Sequence, residues 1–444
     1  MQSRVFNLTY IKDLLKIAIP IIFGNLGFIL IGVGDVIVAG RHSTDTLAAI
    51  SLATAITNCI MIFGIGILCC ISAILSNYRG EKQNIKKYFY PSLKFASILS
   101  VITCLVILGF IPLIDKMGFE SHLVPMVKDY FFITAFATFG GYIHCAVKEY
   151  LQAFEIVVFP NFLTIFCIFF NVVLNIIFAF GYGVIPEMGA KGLAIASLIT
   201  RYFMAIVLIL YCYIFVHITN GETKGYYKDL IKVGLPSSCA VLIEFVGFNI
   251  IAVVMGRISG IYAAAHNIVC TLTSVSFMVP LAISNAMAVK VGFSNGAKNY
   301  EDLKRYSYTG IGFSIAFMTC SAIIVGLFPE FLTSLFTTDI ELINVCIPVV
   351  YVLCFFQVFD GLQVALAGVF KGLKNTKIVM ISNVISYWLI AFPLGCLLGL
   401  HYKMNLLGFW ASLAFSAVIL CSIMYVVMQR QFKEYDRLEN LKLS

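Results

Sequence analysis

The chain contains twelve apolar segments, each long enough to cross a lipid bilayer as a helix. One crossing requires about 20 mainly apolar residues, and soluble cores do not use runs of this length. The segments lie near residues 17–39, 46–76, 89–112, 127–153, 160–182, 192–216, 232–255, 262–291, 307–329, 344–370, 378–400 and 407–429.

These runs predict helices and exclude a membrane β-barrel. Strands of such barrels alternate apolar and polar residues over about ten positions, whereas the runs here are continuous. A helix satisfies all of its backbone polar groups internally, as hydrocarbon requires. A composition with 61% hydrophobic and 12% charged residues agrees. The predicted fold class is therefore an all-α polytopic membrane protein.

Basic residues are distributed unevenly over the segments between the apolar runs. If both termini are cytoplasmic, the inner segments contain 22 lysines and arginines and the outer segments six, with Lys94 and Arg201 inside spans. Positive residues accumulate on the cytoplasmic side, so we expect a multi-pass protein of the cytoplasmic (inner) membrane with cytoplasmic termini. The net charge of +8 then reflects the inner leaflet, and no nucleic acid partner is expected.

The two halves of the chain are similar at a spacing of 216 residues. Without a gap, LLKIAIP at 14–20 aligns with LIKVGLP at 230–236, and fifteen of 77 positions are identical. This predicts a duplicated six-helix unit. Two pseudo-symmetric lobes, 1–216 and 230–444, are joined by a polar cytoplasmic linker, 217–229. Because six is even, the repeat is parallel, and rocker-switch alternating access is the expected mode of action.

Three carboxylates, Asp35, Glu244 and Asp360, lie inside apolar segments. Charges at this depth are costly and almost always handle ions or substrate. Glu244 and Asp360 lie roughly 18 Å and 16 Å from the cytoplasmic ends of their spans, at 1.5 Å per residue, so both are near the midplane. If their helices are neighbours, they form one acidic site for H⁺, Na⁺ or an organic cation. The alternative is that each caps a kinked helix or pairs with a buried base.

Polar side chains in the first lobe suggest a second cation site. Asn171 and Asn175 are spaced i, i+4 and project from one face of the fifth span. With Asp35 and Ser197 they would form an oxygen-rich site, although ordinary interhelical hydrogen bonding explains the two amides equally well. His266, in the eighth span, is a secondary candidate, for which a packed, hydrogen-bonded role is favoured over a proton relay.

The fourteen cysteines are scattered and form no CxxC or Cys/His ligand set. We interpret them as small apolar packing residues. Without a nucleophile, metal cluster or DxxxD-type motif at an interface, we expect no catalytic residue, no resident cofactor and no enzymatic activity. Any bound metal would be Na⁺, held by Glu244 and Asp360 or by Asp35, Asn171 and Asn175.

Several motifs resemble those of the multidrug and toxic compound extrusion (MATE) family over essentially the whole chain. LxKxxxP stands at the start of both halves, and GDVIVAGR follows the first helix. AAHN lies in the eighth span, VFDGLQVALAGVFKG in the tenth span and GFW at the start of the twelfth span. The resemblance is closest to the NorM-like branch, because Glu244 and Asp360 match second-lobe acids that the DinF-like branch lacks. Asp35, Asn171 and Asn175 fall on the first-lobe motif of the family.

This resemblance implies antiport, in which Na⁺ or H⁺ entering through those five residues drives export of varied compounds that are often cationic and aromatic. It implies organic cations or drugs and the bilayer as partners, and we expect a monomer. A flippase for lipid-linked oligosaccharides or peptidoglycan precursors shares the duplicated architecture. Such a flippase usually needs a basic cavity, against which the midplane acids argue. Carboxylates and amides bind either ion, so the sequence leaves Na⁺ and H⁺ open.

Overall fold

The computed structural model describes residues 8–443, and the side chains of residues 8–439. In this range twelve helical segments are long and apolar enough to cross a membrane, which confirms the predicted all-α class. They are α1 (Leu8–His42), α2 (Thr44–Gly80), α3 (Ile85–Lys116), α4 (Val124–Ala153), α5 (Val158–Phe180), α6 (Gly189–Val216), α7 (Tyr226–Ile258), α8 (Gly260–Gly296), α9 (Tyr300–Leu327), α10 (Ile340–Gly372), α11 (Thr376–His401) and α12 (Asn405–Glu439).

Most of these helices extend beyond the predicted apolar segments. With 35 residues in α1 and 37 in α8, they measure roughly 50 to 55 Å at 1.5 Å per residue, against a hydrocarbon core of about 30 Å. Hydropathy marks only the part of a helix that lies in hydrocarbon. The polar end turns remain helical and therefore escape a prediction based on apolar runs.

Some segments depart from a single regular helix. α2 consists of Thr44–Leu68 and Ile71–Gly80, separated by a turn at Cys69 and Cys70. α11 contains π-helical turns at Val384–Ala391 and Leu397–His401. A short helix, Pro329–Ser334, lies between α9 and α10.

The internal repeat preserves a helix cap at the start of the second helix of each half. Ser43 accepts a hydrogen bond from the backbone of Thr46 at 3.0 Å, and Ser259 accepts one from Ile261 at 3.4 Å. These serines are 216 residues apart. A serine in this position satisfies an amide that has no partner within the helix, which gives a structural reason for one of the fifteen identities.

The described residues form two compact units. One contains those within Phe23–Arg79 and Gln83–Ser238, and the other those within Met1–Ile22, Gly80–Lys82 and Cys239–Ser444. The boundaries fall inside α1 and α7 and before the last residue of α2, so each of these helices contributes to both units. The predicted lobes, 1–216 and 230–444 with linker 217–229, remain a prediction, and their residues 1–7 and 444 lie outside the described range.

Within the first of these units, α4 and α6 approach closely at Gly140. A Cβ atom at this position would lie 2.8 Å from the backbone nitrogen of Tyr202 and 2.9 Å from the backbone carbon of Arg201. Glycine at such a contact lets two membrane helices pack backbone to backbone. This packing fixes the position of α6, which carries Ser197 and Thr200.

Candidate functional site

Asp35, on α1, is hydrogen-bonded to side chains from α5 and α6. Asn175 Nδ2 donates to Asp35 Oδ1 at 2.6 Å, and Ser197 Oγ donates to Asp35 Oδ2 at 3.3 Å. Asn175 Nδ2 also donates to Asn171 Oδ1 at 3.0 Å, and Asn171 Nδ2 donates to Thr200 Oγ1 at 3.3 Å. We call these five side chains the Asp35 cluster. The structure brings together the four residues that the sequence grouped, and it adds Thr200.

The Asp35 cluster has spare capacity to accept a cation. Asn171 and Asn175 are completely buried, and Asn175 Oδ1 has no hydrogen-bond partner. Asp35 receives its hydrogen bonds from neutral groups only. A carboxylate and a free amide oxygen are the type of ligand that hard cations take, and a buried acceptor without a partner is costly. Residues of this cluster would fit a monovalent cation.

Glu244, on α7, lies beside Asp360 and Gln363 on α10 and Tyr387 on α11. Gln363 Nε2 donates to Glu244 Oε2 at 3.1 Å, and the Tyr387 side chain interacts electrostatically with Glu244. The carboxyl groups of Glu244 and Asp360 interact electrostatically. We call these four residues the Glu244 cluster. The two acids thus meet the condition under which the sequence predicted a shared site.

The Glu244 cluster contains two acids and no basic partner among the described residues. Asp360, Gln363 and Tyr387 are between 2% and 5% exposed, and none of the described ion pairs involves either acid. Two neighbouring carboxylates in a low-dielectric site are unfavourable unless a positive charge or a proton accompanies them. Gln363 Oε1 is buried without a partner. The arrangement therefore suits a proton, a metal cation or an organic cation.

His266 is held by hydrogen bonds at both ring nitrogens. Trp410 Nε1 donates to Nδ1 at 3.3 Å, and Nε2 lies 3.1 Å from the carbonyl oxygen of Phe248, to which it donates. The ring is 1% exposed. A histidine that accepts at one nitrogen and donates from the other is neutral, and this is the geometry of a packed core histidine.

Sequence reasoning missed three members of the two clusters. Gln363 follows Asp360 by three positions and Thr200 follows Ser197 by three, so helical spacing alone would have placed each on the same face as its neighbour. Tyr387 lies on α11, which has no acidic residue near Tyr387 that would draw attention to this helix as part of the site. Nothing in the local sequence identifies it as a partner of Glu244.

Among the described residues, no group of three or more His, Cys, Asp or Glu side chains is arranged to hold a metal ion. A metal in either cluster would therefore depend on amide and hydroxyl oxygens as well as carboxylates. Such mixed oxygen sets suit weakly held, exchangeable ions better than transition metals, which prefer nitrogen and sulfur.

Comparisons with known proteins cover nearly the whole chain. The MatE family model matches residues 20–177 and 236–397. A probable multidrug resistance protein NorM of Photorhabdus laumondii is 26% identical over 96% of this chain and 97% of its own length. The probable NorM of Bacillus subtilis is 25% identical over 91% and 92%, and the NorM of Aliivibrio fischeri is 24% identical over 94% and 95%.

Solved structures share the fold. A eukaryotic MATE transporter, AtDTX14, superposes with a TM-score of 0.86 at 18% identity, covering 96% of this chain and 98% of its own. A MATE protein in its bent conformation gives 0.88 at 18% identity, covering 97% of each chain. A transporter of the MOP superfamily from Pyrococcus furiosus gives 0.86 at 19% identity, covering 96% of each.

Proposed function

This chain belongs to the MatE family of transporters, and on that premise we propose that it is a secondary antiporter that exports organic compounds in exchange for Na⁺ or H⁺. The exported compounds are expected to be varied, often cationic and aromatic. The protein would lie in the inner membrane with both termini cytoplasmic, and it would act as a monomer without a resident cofactor.

The observation that carries the proposal is the uncompensated Glu244 cluster. Two acids interact in the middle of α7 and α10 without a described basic partner, although a central acid costs about 2.5 to 3.5 kcal/mol even on the most permissive insertion scale. A structural role would be better filled by apolar residues of the same volume. The acids are therefore explained by an exchangeable positive charge.

Competition for these carboxylates would couple the two fluxes. In the outward state the acids take up Na⁺ or H⁺ and the organic cation leaves; after reorientation, substrate from the cytoplasm displaces the ion. Gln363 would hold the Glu244 carboxylate in one orientation through its hydrogen bond. Aromatic side chains near the site would add cation–π attraction for planar cations.

The test is release of ethidium from proteoliposomes under imposed Na⁺ and H⁺ gradients, applied separately. The full-length protein is compared with Glu244→Gln and Asp360→Asn, which keep the size of each side chain and remove its charge. Glu330→Gln is the matched control, because Glu330 is exposed in the short helix between α9 and α10. We expect one gradient to accelerate release at least tenfold, and both site variants to abolish that acceleration.

The control variant should behave like the wild type. If neither gradient moves the dye in any variant, the coupling assignment fails, and lipid-linked precursor flipping becomes the function to measure next. If a gradient drives release but the two site variants retain it, the protein is an antiporter whose coupling does not depend on the Glu244 cluster.

A further inference from the structure

Arg201 is a half-buried basic residue that neither cluster accounts for. It lies in the middle of α6, roughly 18 Å from the first residue of the helix and 22 Å from the last, at 1.5 Å per residue. Arginine does not deprotonate in proteins, so it carries its charge at this depth. The side chain is too short to reach either membrane surface from there, which excludes snorkelling as an explanation.

Arg201 also lacks an ion-pair partner in the part of the chain that the structure describes. Its one hydrogen bond is from Nη1 to the sulfur of Met61 at 3.6 Å, which is a weak acceptor. Its Cδ lies 3.6 Å from the position that a Cβ of Gly141 would occupy, so a glycine leaves room for it. A charged residue with so little compensation is a functional-site candidate by default.

The position of Arg201 on α6 directs it to the Asp35 cluster. It follows Ser197 by four residues, and residues four apart are neighbours on one helix face. Ser197 Oγ donates to Asp35, and Thr200, next to Arg201, accepts from Asn171. The guanidinium also interacts electrostatically with the Asp35 carboxylate. The guanidinium and the carboxylate thus interact from two different helices, but they form no ion pair among the described residues.

The other titratable groups near Arg201 offer no competing negative charge. Its electrostatic interactions extend to Tyr130, Tyr142 and His144, none of which is an acid. His144 is buried, and its Nε2 has no partner. Among the described residues, Asp35 is consequently the one carboxylate with which Arg201 interacts.

We propose that Arg201 is a tethered counter-ion of Asp35, which pairs with the carboxylate when the coupling ion has left and is displaced when the ion binds. The ion and the guanidinium then compete for one carboxylate. This competition lowers the affinity of the Asp35 cluster for its ion, so that the ion can be released. It also gives the Asp35 carboxylate a positively charged partner when no ion is bound. This role rests on the proposed function and adds to it that the coupling ion also occupies the Asp35 cluster, where its binding expels the organic cation.

The experiment measures the concentration of Na⁺, and separately of H⁺, that displaces half of the bound ethidium from the purified full-length protein, followed by fluorescence anisotropy. We expect Arg201→Gln to lower that concentration about tenfold for the coupling ion, since the competitor is gone. Arg201→Lys should stay near the wild type. Lys94→Gln, which removes an exposed basic residue within a span, should leave the value unchanged.

A double-mutant cycle separates this role from a general structural effect. In the Asp35→Asn background, Arg201→Gln should produce no shift, because the carboxylate for which the two cations compete is absent. A tenfold shift that persists in that background overturns the inference, and so does an unchanged or raised midpoint with Asp35 intact. If neither ion displaces ethidium from the wild type, the proposed function fails; if an ion does so but Arg201→Gln has no effect, only the inference fails.

Discussion

Gln363 and Tyr387 interact with the Glu244 carboxylate from two different helices. Gln363 contributes one hydrogen bond through Nε2 and leaves Oε1 buried and free. An amide in this position both orients the carboxylate and offers an additional oxygen to a cation. At the scale of single residues, the site is therefore more than a pair of acids.

Replacing Gln363 by leucine should weaken binding of Na⁺ at the Glu244 cluster, because the free amide oxygen Oε1 is lost as a ligand. A hydrogen bond or ligand contact to a charged group contributes about 1.5 to 3 kcal/mol, so we expect at least a tenfold rise in the Na⁺ concentration that half-activates ethidium release. If H⁺ is the coupling ion, the required H⁺ concentration should fall instead, because the lost Nε2 donor stabilises the charged carboxylate. Gln357→Leu is the matched control, since it removes a buried amide of α10 that bonds to Ser321 instead. Equal effects of the two variants would contradict the assignment.

At the scale of helices, close packing holds α8 and α10 together and so positions the acid on α10. Gly368 lies against Ser284: an added Cβ would be 2.5 Å from the Ser284 carbonyl oxygen. Ser284 Oγ also donates to the Val364 carbonyl at 2.7 Å. The glycine therefore permits a contact between backbones that also anchors the helix segment following Asp360.

A Gly368→Ala variant should be less stable by about 1 to 3 kcal/mol, which is the usual cost of overpacking a core. Gly109→Ala is the control, because a Cβ there meets nothing within 4 Å, and alanine is the better helix former by about 0.5 to 1 kcal/mol. Thermal unfolding of the purified proteins in one detergent gives the comparison. If the Tm of Gly368→Ala equals or exceeds that of the wild type, α8 and α10 accommodate the added methyl group without loss of stability.

At the scale of the whole molecule, the number of membrane-spanning helices and the distribution of basic residues predict on which side of the membrane each connecting segment lies. An even number of crossings returns the chain to its starting side, and the basic excess of 22 over six assigns that side to the cytoplasm. The segment between α5 and α6 should then be external, and the segment between α6 and α7 should be internal.

An epitope inserted after Gly183, in the segment next to the fully exposed Val184, should bind antibody on intact spheroplasts. The same epitope after Gly221 should bind antibody only after permeabilisation. Both insertions lie between helices, so the twelve spans found in the described residues are retained. Labelling in the opposite order would reverse the topology, and with it the side on which each cluster first meets the coupling ion.

The sequence by itself determined the number and type of the helices, the internal repeat and the presence of acids near the middle of two long apolar helices. Each of these is a property of a single helix or of a periodic pattern. A departure from helical structure would leave backbone polar groups without partners in hydrocarbon, which is energetically costly. Asn171 and Asn175 could be placed on one face for the same reason. Helix ends were predicted less well, since their polar turns lie beyond the bilayer.

Only the tertiary structure decided which side chains meet. The partnership of Tyr387 with Glu244, the contact of Asp35 with Asn175 and Ser197, and the approach of Arg201 to Asp35 all join different helices. Which faces of two helices touch depends on the shapes of all the side chains between them. The spacing of residues along one helix does not indicate which neighbouring helix it will contact. The acids could therefore be identified from the sequence, but most of their partners could not.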